Sequence, residues 1–65
     1  MDAKQIGERL TTLRGDRKQK DVAEQLGISV SALSMYENGE RIPRDNIKIR
    51  IAAFYNMPIY DIFFT

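Results

Sequence analysis

Few of the side chains in this sequence can do covalent chemistry. With no Cys and no His among 65 residues, the chain offers no thiol nucleophile, no imidazole base, no disulfide and none of the usual zinc ligands. The nearest thing to a paired-carboxylate site is Glu37 and Glu40, which have no base or nucleophile in the sequence around them and so do not form an acid–base couple. What the sequence does supply is cationic chemistry. Arg14, Arg17, Lys18 and Lys20 are opposed only by Asp16, and Arg41, Arg44, Lys48 and Arg50 only by Asp45. Net charge is +1, so the bulk number says little, whereas the clustering matters. Charge runs are ordinarily solvated faces, but two basic blocks on either side of one short segment suit the two phosphate strands of a nucleic acid.

The segment between the blocks, Gln19 to Asn38, has the pattern of two short helices around a tight turn. Val22, Ala23 and Leu26 share one helical face, and Gly27 follows where the chain must turn. Ser29 is placed to cap a second helix, with Ile28 before it as a hydrophobic staple on Leu33. Leu33 and Tyr36 form the buried face of that helix, which leaves Val30, Ser31, Ser34, Met35 and Asn38 outward. An outward face of small residues fits the DNA major groove.

Gln19, Val22, Ala23, Leu26, Gly27, Ile28, Leu33 and Tyr36, followed by Glu37-Asn38-Gly39, Arg41 and Pro43, together resemble the helix-turn-helix of the Cro and phage-repressor type (XRE-like) DNA-binding family. The resemblance covers nearly the whole chain, although the connector Gly-Asp-Arg-Lys before Gln19 is about two residues shorter than is usual in the family. It implies a lambda-repressor-like domain that binds double-stranded DNA. It also implies phosphate contacts from Gln19 and from around Asn38, and an ion pair between Glu37 and Arg14 that turns Arg14 toward the DNA.

The rest of the chain predicts a compact all-α, five-helix bundle in a single domain over residues 1–65. Asp2 and Gln5 form the ends of a capping box for a first helix, which carries Ile6, Leu10 and Leu13 inward and stops at Gly15. Gly39 is placed to end the recognition helix, and Pro43 keeps Ile42 out of helix. A fourth helix is expected from about Arg44 to Tyr55. Its Ile47, Ile49 and Ile51 alternate as in a strand, but no partner strand exists, and Ile47, Ile51, Ala52 and Tyr55 make a helical set. Asn56 ends it, and Pro58 suits the first turn of a short fifth helix. Residues 54–65 are the most apolar stretch. Tyr55, Ile59 and Ile62 are expected to close the core, and Phe54, Phe63 and Phe64, with Ile59 beside them, to form a dimer interface.

These features predict a transcriptional regulator, a repressor acting as a homodimer on an inverted repeat, with no catalysis, cofactor, metal or small-molecule ligand. Bases would be read by Val30, Ser31, Ser34 and Met35, and phosphates held by Arg17, Lys18, Gln19, Lys20, Ser29, Asn38, Arg41 and Arg44. The four reading residues include no Arg, Gln or Asn, so apolar contact with thymine methyls and single hydroxyl hydrogen bonds replace the strong bidentate contacts. The alternative is a protein-interaction module such as an antitoxin, favoured by the apolar outward pair Val30 and Met35. No apolar run reaches the length of a membrane span, and the first residues lack the apolar core of a signal peptide; a cytoplasmic protein is expected.

Overall fold

A computed structural model describes residues 1–65. Five helices follow one another, α1 (Ala3–Arg14), α2 (Gln19–Leu26), α3 (Val30–Glu37), α4 (Asp45–Tyr55) and α5 (Ile59–Phe63). Asp2 caps α1 as its position suggests, its Oδ1 accepting from the backbone N–H of Lys4 at 2.9 Å and of Gln5 at 3.3 Å. The reciprocal bond from the Gln5 side chain is absent, so only half of the expected capping box forms. Ser29 caps α3, with Oγ accepting from the Ala32 N–H at 3.0 Å.

The turn between α2 and α3 depends on Gly27, whose φ of 72° and ψ of 31° place it in the left-handed region. There the Ile28 N–H can reach back to the Ala23 carbonyl at 3.0 Å and close the end of α2. The same device, with Gly39 in the left-handed position, sends the Glu40 N–H to the Met35 carbonyl at 2.9 Å and ends α3.

The core is a single cluster of Ile6, Leu10, Val22, Ala23, Leu26, Leu33, Tyr36, Ile51, Ala52, Ile62 and Phe63. It joins all five helices, so none of them can form its apolar face alone. Gly7 is the least conspicuous part of this packing. It is buried in α1, and a Cβ built on it would lie 2.4 Å from the Glu37 carbonyl oxygen and 2.8 Å from that of Tyr36. The close crossing of α1 over the end of α3 therefore requires a residue with no side chain.

The alternating isoleucines resolve as helix. Ile51 is fully buried, Ile47 is half-buried and Ile49 is exposed, as a turn of 3.6 residues requires and a strand does not. Helix α4 begins at Asp45, with Arg44 as its N-cap rather than its first residue. Pro58 is likewise the N-cap of α5 and not part of its first turn, because its ψ of 137° is extended.

The apolar tail departs most from expectation. Phe63 is only 1% exposed, so it belongs to the core and not to a surface patch. Phe54 and Ile59 are half-buried and packed against the core. Phe54 and Phe64 also fail to form one surface: Phe54 lies against Arg17, whereas Phe64 stacks on Tyr60 and lies over the Lys48 ammonium. Six residues separate Phe54 from Lys48, about a third of a turn around α4. No helix is long and apolar enough to cross a membrane.

Candidate nucleic-acid interface

The outward face of α3 consists of the residues its periodicity indicates. Val30 and Ser31 are exposed, Ser34 and Met35 half-buried, and Asn38 exposed just past the helix end. Asn38 Nδ2 donates to Ser34 Oγ at 3.3 Å, which links the outward face of α3 to the exit loop. At the other end, the Ser29 hydroxyl already accepts a capping bond, so any contact it makes to phosphate is as a donor.

Beneath this face lies a charged junction. The Glu37 side chain is 3% exposed, and a buried carboxylate needs partners for both oxygens. Oε2 accepts from Arg14 Nε at 2.8 Å and Oε1 from Gln19 Nε2 at 2.9 Å. Arg14 Nη1 donates in addition to the Arg17 carbonyl at 2.6 Å. One carboxylate at the end of α3 thus ties together the end of α1, the connector and the start of α2. The hydrogen bond to Glu37 raises the Arg14 pKa above its ordinary value, so the guanidinium stays charged. Beside it, burial pushes the Tyr55 phenol pKa upward, helped by the Glu37 charge, and the Tyr55 hydroxyl is buried without a hydrogen-bond partner.

Gln19 therefore stands where a phosphate contact was expected, but its side chain is engaged by Glu37. What α2 still offers an anion is backbone: its N-cap, Lys18, makes no side-chain capping bond, which leaves the first N–H groups of the helix without a side-chain acceptor. The N-terminus of α4 is uncapped in the same way at Arg44.

The basic residues divide into two sets. Lys18, Lys20, Arg41 and Arg44 are exposed, and none of them enters an ion pair. Arg17 and Arg50 are exposed as well, but they and the buried Lys48 have contacts with the rest of the protein. The Arg17 guanidinium lies 5.4 Å from the Phe54 ring centroid and 5.9 Å from that of Tyr55. Arg50 Nη1 donates to the Leu26 carbonyl at 3.4 Å, at the end of α2. Lys48 is buried, with Nζ 3.3 Å from Asp45 Oδ1 and 5.3 Å from the Phe64 ring centroid.

Arg9 is a structural residue that spacing gave no reason to single out. Its Nη1 and Nη2 donate to the carbonyls of Ile62 at 2.8 Å and Thr65 at 2.7 Å. Its partners are backbone carbonyls at the far end of the chain, which leave no signal in side-chain pattern. No group of acidic, His or Cys side chains is arranged to hold a metal.

A helix with an outward face, preceded in the chain by the exposed Lys18 and Lys20 and followed by the exposed Arg41 and Arg44, has the parts that binding to duplex DNA uses. A family model described as helix-turn-helix matches residues 13–62, from the end of α1 to α5. The chain belongs to this helix-turn-helix family. It is accordingly a DNA-binding regulator of the XRE type. No curated protein and no solved structure matches it. Within the helix-turn-helix, α2 is the first helix and α3 the second. The Arg14–Glu37 pair expected from the family resemblance is present at 2.8 Å despite the short connector.

Proposed function

We propose that the protein is a cytoplasmic repressor that binds an inverted-repeat operator as a homodimer, with α3 in the major groove. The observation that carries this reading is the pairing of the exposed α3 face with the four free cations Lys18, Lys20, Arg41 and Arg44. Phosphates are held by these cations, by the uncapped N–H groups at the start of α2 and by Ser29 and Asn38 as donors. Val30 and Met35 pack on thymine methyl groups, and Ser31 and Ser34 make single hydrogen bonds to base edges. The longest extent of the molecule is 26 Å, less than the ~34 Å between successive major grooves on one side of a duplex. One copy therefore reads one half-site. For the second copy we assign Phe64 and its stacking partner Tyr60, which are 45% and 61% exposed, in place of Phe63.

The readout is tested by replacing thymine with uracil at each position of a bound half-site, which removes only the methyl group. Binding should fall at the positions facing Val30 and Met35, and Val30→Ala should abolish that sensitivity. Indifference to uracil at every position overturns the apolar readout. It would favour the second reading, in which exposed Val30 belongs to a surface that grips a protein partner such as a toxin.

A further inference from the structure

Arg17 sits in the four-residue connector between α1 and α2, and although it is exposed the protein engages both its backbone and its guanidinium. Its N–H donates to the Arg14 carbonyl at 3.2 Å, and its own carbonyl accepts from Arg14 Nη1 at 2.6 Å. Its guanidinium faces two rings of α4, Phe54 and Tyr55, which meet edge to face with centroids 5.0 Å apart and planes at 72°. A planar guanidinium is attracted to aromatic faces and stacks on them, whereas a compact ammonium does so less well. Arg14, which grips the Arg17 carbonyl, is the residue that pairs with Glu37 at the end of α3, and Glu37 in turn holds Gln19 at the start of α2. An unbroken set of contacts thus leads from α4 through Arg17 and Arg14 to both helices of the helix-turn-helix.

We propose that Arg17 is a positioning residue for DNA binding rather than a phosphate contact. It latches the short connector onto the Phe54–Tyr55 pair, and through Arg14 it fixes the angle at which Glu37 presents α3. A connector of only four residues has little slack, so releasing it from α4 loosens Arg14 and the Glu37 junction together. The inference rests on the DNA-binding reading of α3.

The test compares wild type with Arg17→Ala, Arg17→Lys, Phe54→Leu and the Arg17→Ala/Phe54→Leu double variant. Each is titrated with a duplex selected from a random pool and with an unrelated duplex across a range of salt, and each is melted. A latch predicts that all three single variants lose roughly two- to fivefold in affinity for the selected duplex, with the salt slope unchanged and the unrelated duplex bound as before. Because both residues act through one contact, the double variant should bind and melt no worse than the poorer single variant. A phosphate contact predicts the opposite pattern. Arg17→Ala would then lower the slope by roughly 0.9 and weaken both duplexes alike, Arg17→Lys would bind nearly as wild type, and Phe54→Leu would have no effect; that result overturns the proposal. Lower melting temperatures with DNA affinity intact also overturn it, since they assign Arg17 to stability alone. If the wild-type protein binds no duplex, the DNA reading itself fails. The melting data then decide on the latch, with additive losses in the double variant refuting it.

Discussion

The Glu37 carboxylate is buried and accepts from two side chains, so its removal leaves two donors to find new partners. Arg14 keeps 19% of its side chain exposed and can turn to water, whereas half-buried Gln19 and the Arg17 carbonyl lose an organised neighbour. Glu37→Ala should therefore cost about 1.5–3 kcal/mol, the range for hydrogen bonds to a charged group. That exceeds the ~0–1 kcal/mol of a surface pair. Urea unfolding measures it, and a loss below ~0.5 kcal/mol would show that the junction is not what joins α1, α2 and α3. The pair itself was legible in the sequence, because Glu37 stands at the family's position and Arg14 is the arginine nearest the end of the first helix. Its burial was not, since nothing in the local pattern shows that α1 crosses so close over it. The division of the cations was hidden for the same reason. Arg17, Lys48 and Arg50 look like Arg41 and Arg44 in sequence, and only folding brings aromatic rings or a helix end within their reach.

Among the elements, α1 and α3 depend on each other through Gly7. In an exposed helix, replacing Gly by Ala stabilises by up to ~1 kcal/mol. Here the added methyl would lie 2.4 Å from the Glu37 carbonyl oxygen, and neither backbone can yield without moving a whole helix. Gly7→Ala should destabilise the protein by about 1–3 kcal/mol, as overpacking does, and displace α3 enough to weaken specific DNA binding. Thermal melting with a duplex titration checks both, and a variant more stable than wild type would refute the close crossing. Helix boundaries were legible wherever a side chain or a glycine marks them, as at Asp2, Gly27, Ser29 and Asn56. Gly7 was not, because the stripe Ile6, Leu10 and Leu13 gives the direction of a helix face but not its distance from the neighbour. The apolar tail misled similarly: period and hydrophobicity do not tell which of Phe54, Phe63 and Phe64 enters the core, and α5 turned Phe63 inward.

For the whole molecule, size makes association necessary to the proposed function, since a body 26 Å long reaches one major groove at a time. Phe64 and Tyr60 stack on one another at the surface with centroids 6.3 Å apart. Replacing both by Ser should yield a folded monomer, visible in sedimentation, that binds an inverted repeat much more weakly than wild type does. A double variant that still sediments as a dimer would move the interface elsewhere. The central claim is that α3 reads base sequence while the free cations Lys18, Lys20, Arg41 and Arg44 hold the backbone. It is tested most directly by selecting bound duplexes from a random pool and titrating the enriched sequence across salt concentrations. The expected result is an inverted repeat with half-site centres roughly 10 base pairs apart, thymine at fixed positions, and log affinity falling linearly with log salt. A pool that shows no sequence enrichment, bound with an affinity independent of salt, would contradict it.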